Sequence, residues 1–412
     1  MKDIRKAYEI LLAVRKNHAY SNLLLQRVDE NYNINFITQL VYGSLRNYRL
    51  IRHGWQRFVK DELEVEISVL LDLAVYMIYD IHKIPEYAIV NNIVEISKNV
   101  QHGKYTKLTN AVLKKYIRDG MPIFDEESLE DLSIKYSHPL WLAKMWQAHY
   151  GFDKTKQILK YNNQEASLTL RVNPHKISVD KILEDKNFKK VKEAPEAVMY
   201  KENIFKTDYF KKGQISVQDS ASQLVAHQLA AKANDKVLDT CSAPGTKAFH
   251  IASLRDDEGK IDAVELHENR GKLILEDKKR LDLDSVNVWI NDARYLHDFL
   301  EEESYDKVLV DAPCSGFGVM RNKPEIKIFI EPTDLDGLVK LQAEILDSAV
   351  KMLKVDGELL YSTCTLNKKE NEKQVGRILK LNDNLELVSE EVIYGYKNNS
   401  DSFYMAKIKR IS

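Results

Sequence analysis

Cysteine is scarce in this chain, with three among 412 residues, at positions 241, 314 and 364. So odd and sparse a count excludes a disulfide framework. No Cys-x-x-Cys pair and no close His/Cys cluster points to zinc, so no metal is expected. No uninterrupted apolar run approaches the ~18 residues that a membrane span needs. The first six residues are rich in charge and carry no apolar segment of secretory type. A cytoplasmic protein without a membrane partner is expected, and a monomer. Internal repeats and low-complexity tracts are missing too. What remains is a globular balance of 44% hydrophobic and 30% charged residues, long enough for two to four domains of ~100–200 residues each.

The net charge of −1 says nothing for a polyanionic partner, but its distribution does. Residues 1–60 hold 11 Lys/Arg against 4 Asp/Glu, residues 61–100 hold 2 against 8, and residues 101–118 hold 5 against none. Basic segments separated by an acidic one can fold into a basic face. Residues 1–125 contain only Pro85 and Pro122 and repeat apolar residues at helical spacing. Ala7, Ile10, Leu11 and Val14 form one stripe, and Leu70, Leu73, Ala74, Met77, Ile78 and Ile81 another. The expectation is an all-α domain over 1–128, with about five to seven helices stopped at Gly120-Met-Pro122. Arg46, Arg49 and Arg52 recur at i, i+3 spacing, which on one helix gives a shared basic face. Tyr42, Tyr48, Trp55 and Phe58 interleave with them. Basic side chains meet phosphates and aromatics stack on unpaired bases, so these arginines are candidate RNA contacts. The alternative for them is a solvated basic helix with its aromatics in the core.

A small α+β module is expected over 129–212, with strands at 167–173, 188–191 and 197–200 and a short helix at 178–184. From residue 213 to 412, strands alternate with helices. The strands are expected at 236–241, 260–266, 286–291, 307–310 and 358–362, and the helices near 246–255, 268–281, 333–353 and 368–380. Such alternation implies a parallel sheet covered on both faces, a Rossmann-like α/β domain that binds ligands at the carboxyl ends of its strands.

The loop after the first of these strands has neither the GxGxxG of a dinucleotide site nor the GxxxxGK[ST] of a P-loop. It reads Cys241, Ser242, Ala243, Pro244, Gly245, Thr246, Lys247. Its Pro-Gly turn lets the backbone approach a ligand, and the helix start beyond offers N–H groups to a carboxylate such as that of S-adenosylmethionine. Glu265 ends the second strand, where an acid can take ribose hydroxyls. Asp292 follows the third, where one can accept from an adenine amino group. Each acid alone is more often a cap or surface charge, and only the ordered set carries weight.

Asp311-Ala-Pro-Cys-Ser-Gly316 follows the fourth strand and Tyr361-Ser-Thr-Cys-Thr365 the fifth. A free cysteine is ordinarily a small buried hydrophobe, but that explains poorly three cysteines at one sheet edge. Carbon 5 of cytosine is too weak a nucleophile to take a methyl group from a sulfonium. A thiolate adding at carbon 6 makes it carbanion-like, which is nucleophilic catalysis. The thiol must ionise, and Lys247 is the candidate cation that helps. Asp311 is the candidate to hold the protonated ring. Residue chemistry leaves open which cysteine attacks.

The segments Asp311-Ala-Pro-Cys-Ser-Gly316, Ser362-Thr-Cys-Thr365 and Asp239-Thr-Cys-Ser-Ala-Pro-Gly-Thr-Lys247 resemble the motifs of the RNA (cytosine-C5) methyltransferases. Gln218-Asp-Ser-Ala-Ser222 and Asn371-Glu372 are similar to this family as well. The resemblance implies that Cys364 is the nucleophile, that Cys314 assists product release, and that the 241–247 loop, Glu265, Asp292 and Asp311 contact S-adenosylmethionine. Thr246 stands where a second glycine is common, and Phe317 where smaller residues are frequent. Tyr20-Ser-Asn22 and Leu108-Thr-Asn-Ala-Val-Leu113 resemble the NusB-type RNA-binding domain, and Ser137-His-Pro-Leu-Trp141 the RsmB (Sun/Fmu) family. Methylation of a cytosine in small-subunit rRNA is thereby implied. Transfer RNA as substrate, or a non-enzymatic NusB-like antitermination factor, are the alternatives.

Overall fold

Apolar residues at helical spacing bury one stripe of the first helix, Lys2–Asn17, through Ile4, Ala7, Tyr8, Ile10, Leu11 and Val14. The helix Val65–Asp80 is instead buried on every side from Ile67 to Met77, as an all-round apolar helix must be. It forms the axis of a helical unit. The computed structural model describes residues 1–412 and divides into two units. One is Met1–Gln164 with Met320–Ile330, and the other is Glu165–Val319 with Glu331–Ser412.

In the helical unit, the charge on the axial helix is answered locally. Asp72, nearly buried, accepts from Arg52 Nη2 at 2.6 Å and Trp55 Nε1 at 2.8 Å. Helix Thr106–Asp119 ends at Gly120 with φ +67°, as the Gly-Met-Pro stop requires. Three further helices, Leu129–Lys135, Leu140–Tyr150 and Phe152–Asn162, belong to this unit. They precede the first of the expected strands, at 167–173.

The arginine triplet does not share one helix. Arg46 ends helix Ile34–Arg46, Asn47 breaks it, and Arg49 and Arg52 lie on Tyr48–Gln56. Arg46 is buried and Arg52 is committed to Asp72. The three-residue spacing is read correctly only within the second helix.

Residues 320–330, far along the chain, pack into the helical unit. Ser21 Oγ donates to Glu325 Oε1 at 2.7 Å, and His18 meets Phe329 with ring centroids 4.4 Å apart. Lys327, fully buried, donates to Asn163 Oδ1 at 2.8 Å and to the carbonyls of Tyr136 and Arg46. Burial, then the Arg46 charge, pushes its amine well below the usual lysine range.

The second unit holds two sheets. The smaller has strands β1 (Leu170–Val172), β2 (Phe188–Lys190), β3 (Ala197–Tyr200) and β4 (Ile215–Val217), all antiparallel in the order β2-β3-β1-β4. The larger has β5 (Lys236–Asp239), β6 (Lys260–Glu265), β7 (Val286–Ile290), β8 (Tyr305–Asp311), β9 (Leu353–Thr363), β10 (Leu385–Ile393) and β11 (Phe403–Arg410), in the order β10-β11-β9-β8-β5-β6-β7. The five strands expected from the sequence are parallel. β10 and β11 add an antiparallel edge. Strand order reverses between β5 and β8, which makes their carboxyl ends the place for a ligand crevice.

Replacing Asp72 by alanine strands the Arg52 guanidinium and the Trp55 N–H. We expect a loss of about 2–3 kcal/mol, read by calorimetry as a drop of roughly 5–10 °C in the helical unit's transition. A transition unchanged in Asp72→Ala would show that this cluster contributes nothing to the unit.

Candidate active site

The loop after β5 is shaped by Gly245, whose φ of +98° opens the helix Thr246–Leu254. A Cβ there would meet Phe249 at 2.5 Å and Ile274 at 3.2 Å, so glycine is required for both backbone and space. Thr246 is already helical, and a side chain at that position meets no backbone constraint. The first turn's N–H groups remain available for an anion.

Acidic groups gather at this edge. Asp239 is 1% exposed, and its Oδ2 has no hydrogen-bond partner. Burial, then the like charge of Asp311, pushes it up to about 7. Glu265, 4% exposed, accepts from His267 N at 3.0 Å. Arg270 bonds the Ala243 carbonyl at 2.8 Å and lies 3.5 Å from Glu265, tying loop to acid. Asp292 caps the turn after β7 and is gripped by Arg294, with Nη2 at 2.5 Å from Oδ2. A buried carboxyl group with one oxygen unpartnered, beside a half-buried acid and a free helix start, fits a ligand that carries cationic, hydroxyl and carboxylate groups. Asp239 is the member of this set that sequence reading passed over, because it sits inside the strand signal.

The Cys314 and Cys364 loops leave β8 and β9 together, because Asp311 pairs in register with Ser362. The two Sγ atoms are 3.4 Å apart, and both thiols are half-buried. Lys247 Nζ bonds Asp311 Oδ2 at 2.6 Å, and Ser362 Oγ donates to Oδ1 at 2.8 Å. Burial works against the Lys247 charge, but the Asp311 charge and hydrogen bond, with Cys364 adding, raise its pKa above the usual lysine value. The ammonium is therefore retained at neutral pH. Cys314 is driven well above the ordinary thiol range, first by its hydrogen bond with Cys364, then by burial and by the charges of Cys364 and Glu370. Cys241 is likewise pushed up by burial, which makes it an inert wall of the loop rather than a third reactive thiol.

Backbone and buried polar groups hold the cysteine loops. Gly318 N donates to the Cys364 carbonyl at 2.9 Å, and a Cβ on Gly318 would lie 2.0 Å from the Ser402 carbonyl. Asn371 brackets Cys364, accepting from Thr363 Oγ1 at 2.6 Å and donating to the Thr365 carbonyl at 2.9 Å. Glu370 joins Ser315 to Asn367 and Gln342. Phe317 is fully buried, so its bulk is spent in the core and not in the crevice.

One cluster of metal-ligating type does form, from segments the sequence keeps apart. Glu196 Oε2 lies 2.7 Å from His227 Nε2 and 3.4 Å from His250 Nε2. The fully buried guanidinium of Arg171 acts on the same Glu196 and His250, and it donates to the Gln218 side chain and the Thr246 carbonyl. A cation placed here would meet that charge. The cluster's evident work is to tie the small sheet to the helix that follows the β5 loop.

In the helical unit, Tyr48, Arg49, Arg52, His53, Gln56 and His138 line a cleft of about 430 Å³. It combines aromatic faces and two guanidinium groups with the Glu130 carboxylate.

Known proteins match along the whole length. The family model described as "16S rRNA methyltransferase RsmB/F" matches residues 226–409. The ferredoxin-like domain of that group matches 138–203 and the NusB family 3–118. The Bacillus subtilis protein named "Probable ribosomal RNA small subunit methyltransferase B" is 36% identical over 91% of this chain and 87% of its own. The Vibrio cholerae ribosomal RNA small subunit methyltransferase B is 31% identical over 91% and 89%. Among solved structures, PH0851 superposes with a TM-score of 0.85 at 24% identity, covering 99% of this chain and 98% of its own. A methyltransferase homologue from Pyrococcus horikoshii superposes with a TM-score of 0.62 at 25% identity, over 69% and 99%. With a NusB domain, a ferredoxin-like module and a Rossmann-like catalytic domain in that order, the chain belongs to the RsmB/F family of 16S rRNA methyltransferases.

Proposed function

We propose that this enzyme methylates carbon 5 of a cytosine in small-subunit rRNA, using S-adenosylmethionine and a covalent adduct through Cys364. The observation that carries the reading is the pair of thiols 3.4 Å apart beside the Lys247–Asp311 ion pair. Electrostatics support the division of labour that the family resemblance implies. The retained Lys247 cation acts on Cys364, and the Glu370 carboxylate acts on Cys314. A cation favours thiolate and an anion favours thiol, so Cys364 is the better nucleophile of the two.

The 241–247 loop, Asp239, Glu265 and Asp292 would hold the cofactor, with Asp292 sharing its carboxylate with Arg294. When bound, S-adenosylmethionine supplies an electrophilic methyl group. The target base must be unpaired or flipped, since attack is on its ring face. Cys364 Sγ then forms a bond to carbon 6, and the displaced electrons reach N3 and carbon 5. N3 takes a proton from solvent, and Asp311, oriented by Ser362 and Lys247, accepts from that N3–H and from the exocyclic amine. Carbon 5 would then accept the methyl group, with the thioether of S-adenosylhomocysteine as the leaving group. Loss of the carbon-5 proton to solvent re-forms the C5–C6 double bond and expels the Cys364 thiolate from carbon 6. N3 gives up its proton as the ring returns to neutral, and Cys314, in contact with the Cys364 sulfur, assists the release. Arg49 in the Tyr48 cleft would contact the RNA backbone, with Arg52 held by Asp72 and Arg46 confined to structural support.

Cys364→Ala should abolish methylation, and Cys314→Ser should accumulate an enzyme–RNA adduct that survives denaturing electrophoresis. Full activity in Cys364→Ala would remove it as nucleophile. Bisulfite sequencing of RNA from a deletion strain tests the substrate, and no lost protection in any rRNA would sink the reading.

Asp239 holds its proton to about pH 7, whereas an aspartate in an unfolded chain loses it near 4. The apo protein therefore loses stability as pH rises through that window. A cationic ligand alongside should ionise it. Calorimetry of S-adenosylmethionine binding at pH 7, in buffers of different ionisation enthalpy, should show proton release that Asp239→Asn abolishes. Heats independent of buffer would contradict the assignment.

A further inference from the structure

Four donors converge on one buried carboxylate between the two cysteine loops. Glu370 Oε1 accepts from Ser315 Oγ at 2.5 Å and Asn367 Nδ2 at 2.9 Å. Oε2 accepts from Ser315 N at 2.9 Å and Gln342 Nε2 at 2.9 Å. Every contact is a donor, two to each oxygen, so the site suits an acceptor-only group, an ionised carboxylate. Glu370, Asn367, Gln342 and Thr365 are 0% exposed and Ser315 is 6% exposed. With its single proton given to Glu370, Ser315 Oγ accepts from Thr365 Oγ1 at 2.7 Å. Ser315 follows Cys314 and Thr365 follows Cys364, so one carboxylate fixes both neighbours of the thiol pair. The four donors are neutral, and they leave the negative charge to act on what lies nearby.

We propose that Glu370 is a positioning residue for methyl transfer, which clamps the two cysteine loops together and keeps the shared proton of the thiol pair on Cys314, leaving thiolate to Cys364. The proposal rests on Cys364 being the nucleophile. The other titratable groups facing the pair are Lys247, Asp311 and Tyr361, and Tyr361 donates to the Glu370 carbonyl at 2.7 Å. Lys247 draws the negative charge toward Cys364, and Glu370 repels it from Cys314. Neither thiol can be exchanged for the other while both charges stand, because they lie on opposite sides of the proton's choice.

The test is thiol alkylation by iodoacetamide from pH 6 to 10, read per cysteine by peptide mass spectrometry. It needs neither RNA nor methyl transfer, so its failure is separate from a failure of the substrate reading. In the wild-type protein Cys364 should react about tenfold faster than Cys314 near neutral pH, the ratio that one pKa unit provides. Glu370→Gln, which keeps the shape and removes the charge, should narrow that ratio at least threefold and shift the Cys314 profile to lower pH. It should also lower kcat while leaving the KM for S-adenosylmethionine unchanged. Glu370→Asp should restore the ratio. If Glu370→Gln does not fold, Ser315→Ala takes its place. There the charge remains, so the preference should persist while kcat falls. A ratio unchanged in Glu370→Gln, a preference lost in Ser315→Ala, or a wild-type Cys314 that reacts faster than Cys364 would each overturn the proposal.

Discussion

The parallel register of β8 against β9, with Asp311 opposite Ser362, is the constraint on which the candidate catalytic site depends. It ends two strands at one level, so loops 50 residues apart in sequence deliver sulfur atoms 3.4 Å from each other. A slip of one residue would turn the side chains of β9 to the opposite face of the sheet and break the Ser362–Asp311 bond. The buried polar layer beyond the strands depends on the same register. Glu370, Asn371, Thr365 and Ser315 satisfy one another only when both loops start from these strand ends. A fully satisfied buried network of this kind holds geometry tightly, whereas a partly satisfied one is costly.

Charge placement follows from that geometry. Lys247 comes from the helix after β5, Asp311 from β8 and Glu370 from beyond β9, so three strand ends contribute one ionic arrangement. The Lys247–Asp311 pair is largely shielded, with side chains 11% and 25% exposed. In such surroundings a fixed charge acts on a neighbouring thiol far more strongly than it would in water. Burial, with the like charge of Asp311 adding, likewise leaves Asp239 reluctant to ionise. The small sheet contributes through Arg171, which holds the first carbonyl of the helix after the β5 loop and so supports the loop that faces the ligand crevice.

The five parallel strands and their helices were legible in the sequence because each is a short apolar run bounded by turn residues, with an amphipathic helix between. The antiparallel pair was not. β10 is exposed along most of its length, so it lacks the alternation that marks a half-buried strand. The arginine triplet looked helical because i, i+3 spacing continues across Asn47, where the backbone in fact breaks. The helical region also runs on through three helices to Asn162, past the Gly120 stop that seemed to close it. Residues 320–330 carry no local sign that they pack in the helical unit, where Lys327 is held by carbonyl groups from distant helices.

By itself the sequence determined the candidate reactive groups and their order along the chain. Cys314 and Cys364 stand just beyond a strand, Asp311 is the last residue of one, and Lys247 lies in the first turn of the helix that follows another. Strand ends of a parallel sheet lie along one edge. Only the tertiary structure decided which of these groups touch, which charge faces which thiol, and that Glu370 joins the two loops. Local periodicity reports on neighbours within a few residues. The contacts that distinguish one cysteine from the other span 50 residues or more, and they are set by strand pairing and by burial of the polar groups between the loops.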